Sequence, residues 1–303
     1  MTTSLVLAFS AALAWGASDF LGGITTRELS VLQVLAVSQT CGLVVITIIF
    51  FASGGRPLSG IAVLYAAMAG VAAVLALAML YLALAIGRSA MVGPIAASGV
   101  VVPVVVGLIQ GNTLRSVTTA GMALAGVGII FASWEPPEDR KSNSMRSQPA
   151  VVALALGAAL TTGAYLTLIK AASQTSSLGT IEVLKLTATG CAILVLLVVK
   201  SSTRRQFAPS IGPEPRDRAE LTHDAVRWVL VAGVGVADVV AELLYATSTV
   251  NGQLSVVSMV SGLYPVFTVA LFITIYKERV NAVQLIGAAG AIAGLGLIAA
   301  GAT

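Results

Sequence analysis

Two carboxylates, Asp238 and Glu242, stand four positions apart in an apolar stretch that runs from about Trp228 to Val250. On a helix this spacing places both side chains on one face. A charged side chain near the centre of a bilayer costs about 2.5 kcal/mol or more, and the stretch contains no Lys or Arg. Because loss of water disfavours the ionised form of a carboxylate, we expect this face to line an aqueous cavity and to bind and release protons. The alternative is a pair of protonated acids that hydrogen-bond to a neighbouring helix.

A third acid, Asp19, follows Trp15 by four positions in the first apolar stretch, so the two share a helical face. Trp is most frequent at the bilayer interface, but Trp15 lies deeper, which makes it a candidate cavity wall or cation platform. We group Asp19 with the other two acids as a candidate substrate- and proton-binding residue. A packed indole, with Asp19 capping a broken helix, explains the pattern equally well. Weaker candidates for the cavity lining are Tyr245, Tyr81, Tyr165, Thr161 and Gln39.

The remaining membrane-depth charges are predicted to be structural. Glu182 and Lys185 are three positions apart near the start of another apolar stretch, and this spacing predicts an ion pair near the interface. Lys170 is expected to extend its charge to the membrane surface. The sequence therefore predicts no fixed positive charge at the centre of any stretch.

The chain contains few of the residue types that catalysis and metal binding require. The single histidine, His223, lies in the most charged segment, and the two cysteines, Cys41 and Cys191, lie in apolar stretches. A zinc cluster, a Ser-His-Asp triad and a Cys-His pair within the membrane are thereby excluded. We expect no enzyme, no metal and no cofactor.

Composition indicates an all-α, polytopic membrane protein, because only 10% of the residues are charged against about 25% in soluble domains. Met1 to Ala17 lacks the basic start of a secretory signal, so we expect it to remain as a helix. The net charge of +4 is interpreted as topology information rather than nucleic-acid binding. Ten stretches reach spanning length, at about Ser4–Ile24, Val31–Ala52, Gly60–Ile86, Ala90–Ile109, Val117–Trp134, Ala150–Ala172, Ile181–Val199, Trp228–Val250, Gln253–Tyr276 and Ala282–Ala302.

A polar linker, residues 135–149, separates two halves, 1–134 and 150–303, with five stretches each. The halves align with each other. Ala11–Ala17 matches Ala158–Ala164, Tyr81 matches Tyr245, and Gly121 and Gly128 match Gly287 and Gly294. An odd number of spans per half gives the halves opposite orientations, so we expect two inverted five-helix repeats with a site between them.

Several motifs carry a family resemblance: Trp15-Gly16 in the first stretch, Tyr264 to Thr268, Glu278-Arg279, and Gln284 followed by Gly287 and Gly294. Together they resemble an EamA-type member of the drug/metabolite transporter superfamily. The resemblance implies ten helices around a central cavity, and export or exchange of small solutes. The first half departs from the pattern, since Asn112 stands in the place of Glu278 and Gly99 in the place of Pro265.

These observations predict a secondary transporter in the plasma (inner) membrane, and more specifically a proton-coupled exporter. Without a central base to hold phosphate, its substrate is expected to be a cationic, zwitterionic or neutral metabolite or drug. A non-transporting scaffold and a channel are the alternatives. Pro94, Pro103 and Pro265 predict kinks, which act as gates or serve only packing. A Gly290-x-x-x-Gly294 motif predicts a close helix contact, within one chain or in a homodimer.

The charges of the loops predict an orientation. One set of loops carries thirteen Lys and Arg, and the other set carries Arg56, Arg115, Lys170 and Lys185. Cytoplasmic loops hold the excess of these residues, so the count places the linker in the cytoplasm and both termini outside. The family resemblance implies termini inside instead.

Overall fold

Every regular element that the structure describes is a helix, as the composition predicted. A computed structural model describes residues 2–26, 28–86, 89–133, 148–198, 224–277 and 281–301. Its helices are α1 (Thr2–Thr25), α2 (Val31–Ala52), α3 (Ile61–Ile86), α4 (Ser89–Ala97), α5 (Val101–Ile109), α6 (Ser116–Ala132), α7 (Gln148–Ser173), α8 (Ser177–Val198), α9 (Asp224–Asn251), α10 (Leu254–Ser261), α11 (Tyr264–Tyr276) and α12 (Ala282–Gly301).

Nine helical segments in these ranges are long and apolar enough to cross a membrane, when α4 with α5 and α10 with α11 each count as one segment. A further apolar helix, α6, has 17 residues. The polytopic membrane character is thereby confirmed. Helix α2 has the bounds predicted from the sequence, whereas α8 begins at Ser177 rather than near Ile181. The early start follows from Ser176, whose hydroxyl accepts the backbone N–H of Gly179 at 3.0 Å and so caps the first turn.

Two of the spans are interrupted. Ser98–Val100 form a single 3₁₀ turn between α4 and α5, and a two-residue turn separates α10 from α11. Pro103 and Pro265 stand in the first turn of the helix that follows each interruption, where a missing N–H breaks no helical hydrogen bond. The predicted kinks at these two prolines are therefore interruptions that precede them, and Pro94 is the one of the three that lies inside a helix. A gating role for all three stays a prediction.

Helices α6 and α12 meet along a seam of glycines. A Cβ atom on Gly294 would lie 2.5 Å from the backbone nitrogen of Ala125, and one on Gly121 would lie 2.8 Å from the carbonyl oxygen of Gly294. Gly128 and Gly287 face the backbone of the opposite helix in the same way. The close contact predicted for the last span therefore lies within one chain, and the homodimer stays a prediction.

Helix α9 lies among α1, α2 and α8 and carries the two acids into the bundle. It runs antiparallel to α1: the hydroxyl of Ser18 donates to the carbonyl of Val234 at 3.1 Å, while Ser4 near the start of α1 lies beside Gly252 just after α9. The start of α6 lies at this same end of the bundle, because Asn112, which precedes α6, accepts the N–H of Ser255 just after α9 at 3.2 Å. The end of α12 lies there too, because Gly301 packs on Thr118 at the start of α6.

Candidate functional site

A buried ion cluster joins α8 and α9 at the centre of the bundle. The ammonium of Lys185 lies 2.5 Å from Asp238 Oδ2 and 3.1 Å from Glu242 Oε1. The side chain of Lys185 is fully buried, that of Glu242 is 2% exposed and that of Asp238 is 20% exposed. The two acids predicted to share a helix face are thus in contact with one cation. We call these three residues the Lys185 cluster.

The position of Lys185 corrects two sequence expectations. Lys185 was expected to pair with Glu182 at the interface, but it turns towards α9, and Glu182 instead accepts a hydrogen bond from the hydroxyl of Thr47 at 2.9 Å. The prediction of no fixed positive charge at the centre of a span was also wrong. The prediction failed because α8 starts earlier than expected. Lys185 is the ninth residue of this 22-residue helix rather than a residue of its first turn.

Besides Lys185, two neighbours donate hydrogen bonds to Asp238. The indole N–H of Trp15 donates to its Oδ1 at 3.3 Å, and the amide of Gln39 donates to its Oδ2 at 3.2 Å. The carbonyl oxygen of Gln39 accepts from the ammonium of Lys185 at 2.9 Å. The structure therefore brings two of the predicted lining residues, from α1 and α2, onto the same carboxylate.

Glu242 is bonded on one oxygen only. Its Oε1 accepts from the hydroxyl of Tyr165 at 2.8 Å and lies next to the ammonium of Lys185. Its Oε2 is buried without a hydrogen-bond partner among the described residues. A buried polar atom without a partner costs about 1–3 kcal/mol. Oε2 is therefore the least stabilised carboxylate oxygen of the cluster.

Two glycines let α2 and α9 approach each other closely beside the side chain of Lys185. A side chain at Gly235 would overlap the carbonyl oxygen of Ser38, and a Cβ atom on Gly42 would lie 3.1 Å from the carbonyl oxygen of Gly235. The same Cβ position is 3.6 Å from Cε of Lys185. Because both positions are glycine, the two backbones touch beside the lysine stem and the ammonium reaches both carboxylates.

Other predicted lining residues lie around the cluster or apart from it. Tyr245 is fully buried, shares a hydrogen bond of 2.8 Å with the hydroxyl of Ser258, and packs its ring 5.6 Å from that of Trp15. Thr161 donates to Gly157 on its own helix at 2.7 Å. The side chain of Tyr81 lies outside the described residues. Of the two side chains that the structure describes here, Tyr245 is thus the one placed against a partner of the cluster.

The third acid lies in a separate cleft. Asp19 is exposed, and among the described residues its carboxylate has no hydrogen bond or ion pair. The cleft has a volume of about 150 Å³ and is lined by Asp19, Ala132, Ser133, Pro265, Thr268, Val269 and Gln284. The structure therefore divides the three predicted acids into two places, the Lys185 cluster and this cleft, which we call the Asp19 cleft.

Lys170 also has a role that the sequence did not indicate. Its ammonium donates to the carbonyl oxygens of Thr249 and Gly252 at the end of α9. A cation at this position satisfies carbonyls that the helix leaves unpaired. Lys170 therefore holds two helices together instead of extending into solvent. No group of three or more His, Cys, Asp or Glu within the described ranges is placed to bind a metal ion.

Comparison with known proteins agrees with the resemblance found in the motifs. The family model described as "EamA-like transporter family" matches residues 149–300. A solved crystal structure superposes on 98% of this chain and on 96% of its own chain, with a TM-score of 0.75 and 16% sequence identity. At that identity the likeness extends to the fold alone. A search of curated proteins found no match.

Proposed function

The chain belongs to the EamA-like transporter family, a family of membrane transporters in the drug/metabolite transporter superfamily, and on this premise we propose that it is a proton-coupled secondary transporter. The observation that carries proton coupling is the contact of one ammonium with two carboxylates, at 2.5 and 3.1 Å, in the middle of the bundle. Ionisable groups at membrane depth are typical of proton and ion pathways.

The charges of the Lys185 cluster favour uptake of a single proton. With all three groups ionised, the cluster has one more negative charge than positive. An uncompensated charge is costly in a poorly hydrated interior, and one proton removes it. Glu242 Oε2 is the atom best placed to take the proton, because Oε1 already accepts from Tyr165 and lies beside Lys185.

The same charge balance supports a substrate class. A cationic group at the cluster neutralises the excess carboxylate as a proton does, so each displaces the other in an exchange. We therefore propose export of a small cationic or zwitterionic metabolite or drug, with neutral substrates as the wider class. Lys185 does not change this choice, because two carboxylates already engage its ammonium. A strongly anionic substrate would meet no uncompensated cation there.

We also propose ten membrane spans in two inverted five-helix repeats, with the plasma (inner) membrane as the location. Contacts between the halves support the repeat. A Cβ atom on Gly16 of α1 would lie 3.0 Å from the carbonyl oxygen of Tyr264, next to one interruption, and one on Gly163 of α7 would lie 2.7 Å from that of Gly99, within the other. Because Gly16 and Gly163 are equivalent in the aligned halves, each half packs on the interrupted span of the other. Such interrupted helices are typical of carrier sites, which favours a carrier over a channel or a scaffold.

Proton flux in liposomes tests the proposal. Purified protein is reconstituted with a pH-sensitive dye inside the vesicles, and a panel of primary and quaternary ammonium compounds, an amino acid and a sugar phosphate is added outside. We expect at least one cation or zwitterion to release protons from the vesicles. Asp238→Asn and Glu242→Gln are each expected to abolish the response without loss of expression. Glu182→Gln, which keeps an acceptor for Thr47, is the matched control and retains the response.

Two outcomes contradict the proposal. Full proton release in both single variants removes the coupling role from the cluster. A response to the sugar phosphate equal to that of the cations removes the proposed substrate class. Counterflow of a responding compound without a pH gradient or a membrane potential distinguishes a carrier from a channel, because a channel gives no transient accumulation of labelled substrate above its outside concentration.

A further inference from the structure

The polar atoms of the Asp19 cleft are mostly acceptors. The hydroxyl of Ser133 donates to the carbonyl of Ile129 at 2.9 Å, and the hydroxyl of Thr268 donates to that of Tyr264 at 3.1 Å. Each hydroxyl has thereby used its one hydrogen and keeps only lone pairs for a ligand. With the unpaired carboxylate of Asp19, they form a set that a cationic hydrogen-bond donor satisfies and an anion does not.

The rest of the lining selects an organic cation over a metal ion. Ala132, Pro265 and Val269 give the cleft an apolar side, which suits an alkyl group. Ca²⁺ instead takes about six to eight oxygen ligands, more than the side chains of this lining offer. Gln284 accepts the N–H of Asn281 through Oε1 at 3.2 Å, which leaves its NH₂ group for a polar substituent of the ligand.

Two neighbouring aromatic residues, Trp15 and Tyr264, link the Lys185 cluster to the lining of the cleft. Trp15 lies one helical turn from Asp19 and bonds to Asp238, and its ring centroid is 6.4 Å from that of Tyr264. Tyr264 directly precedes Pro265, a residue of the cleft wall. The faces of these rings attract cations, so rings at this position favour a cation that moves between the two acidic places.

We propose that the Asp19 cleft is a second binding site, which takes a small organic ammonium ion before it reaches the Lys185 cluster. The order of the two sites rests on the proposed transport function, whereas binding at the cleft does not. Asp19, Thr268 and Ser133 hold the ammonium group, and the apolar wall holds its alkyl chain.

Fluorescence of Trp15 tests this site in the purified full-length protein. Trp134→Phe and Trp228→Phe leave Trp15 as the sole indole, since the chain has three tryptophans. Titration with n-butylammonium chloride is expected to give a saturable change. Asp19→Asn is expected to weaken it by about tenfold or more, as loss of one charge-assisted contact requires. Thr268→Val is expected to weaken it by a smaller factor, and Thr274→Val, on the exposed side of the same helix, is the matched control.

The result is independent of proton coupling, because the titration contains no pH gradient. No saturable change, or equal affinity in the Asp19→Asn variant and the parent, overturns the proposal. An equal Asp19-dependent change with sodium chloride overturns the proposal in favour of an alkali-ion site. An equal change with sodium butyrate, beyond that of sodium chloride, also overturns it, because the alkyl chain is then bound without the ammonium group. If Asp19→Asn fails gel filtration, unchanged affinity in Thr268→Val decides against the site.

Discussion

Lys185 introduces one positive charge between two carboxylates, and its removal leaves both without a counter-ion in the buried core. Breaking a buried ion pair from one side costs about 3–5 kcal/mol, because the remaining charge is uncompensated. Removing a carboxylate along with the lysine lessens that cost. Single residues in this cluster are therefore expected to act on stability as a coupled set.

We predict that Lys185→Met lowers the free energy of unfolding by about 3–5 kcal/mol, and that Lys185→Met with Asp238→Asn is more stable than Lys185→Met alone. Denaturant unfolding in detergent micelles measures both. Arg115→Met, at an exposed position, is the control and is expected to stay within about 0.5 kcal/mol of the parent. Equal stability of the Lys185→Met variant and the parent would mean that the ion cluster does not form.

The shared face of the two acids could be predicted from the sequence, whereas their contact with Lys185 could not. Asp238 and Glu242 were predicted to share a face and they do, because a spacing of four is a local property of one helix. Their cation was missed, because the contact joins residues on separate helices, and the start of α8 was placed four residues late. The sequence signal that could have shown the depth of Lys185 is Ser176, a helix-capping residue that makes Lys185 the ninth residue of α8.

At the scale of elements, glycine decides how closely the helices pack. A Cβ atom on Gly128 would overlap the backbone nitrogen of Ala291, an atom that cannot move without shifting α12. Two positions earlier on α6, a Cβ atom on Gly126 would meet only Cε of Met259, at an ordinary 3.7 Å. Both glycines lie on α6, but Gly128 faces the backbone of α12 and Gly126 faces a flexible side chain of α10. They therefore form a matched pair for substitution.

We predict that Gly128→Ala destabilises the protein by about 1–3 kcal/mol through overpacking. Gly126→Ala is expected to be neutral or to stabilise it by up to about 1 kcal/mol, since alanine favours a helix over glycine. Thermal unfolding of both variants in the same detergent provides the comparison. Equal melting temperatures would show that the seam between α6 and α12 is looser than the structure has it.

The sequence indicated the helices well and their interruptions poorly. A run of about 20 apolar residues is a sufficient signal for a span, and the bounds of α2 and α3 follow from the turn residues beside them. The breaks at Ser98–Val100 and before α11 leave hydrophobicity unchanged, so the hydrophobic pattern does not reveal them. The sequence signal that both share is a Ser-Gly pair, Ser98-Gly99 and Ser261-Gly262, of the kind that favours a turn. The nearby prolines pointed to these spans and gave the wrong position for the bend.

At the scale of the whole molecule, the contacts at the ends of the bundle show at which end some of the loop charges lie. The start of α1 lies beside the end of α9, and the end of α12 lies beside the start of α6. Arg115 directly precedes α6, Lys170 in the last turn of α7 bonds the end of α9, and the carbonyl oxygen of Arg56 lies beside Gly179 at the start of α8. These three residues are therefore at the same end as the first and last described residues. Lys185, counted with that set in the sequence, belongs to the core, so this end carries three Lys and Arg against thirteen in the other set.

That imbalance predicts the side of the membrane on which each end lies. Because an excess of Lys and Arg is retained in the cytoplasm, residues 135–149 are expected inside and both ends of the chain outside, the reverse of what the family resemblance implies. Cysteine labelling with a membrane-impermeant reagent measures this in a Cys41→Ala, Cys191→Ala background. Ser144→Cys is expected to react only after the cells are lysed. Thr113→Cys, one span away and exposed at the other end of the bundle, is expected to react on intact cells. Reaction of Ser144→Cys without lysis, with protection of Thr113→Cys, would reverse the orientation and favour the family expectation over the charge count.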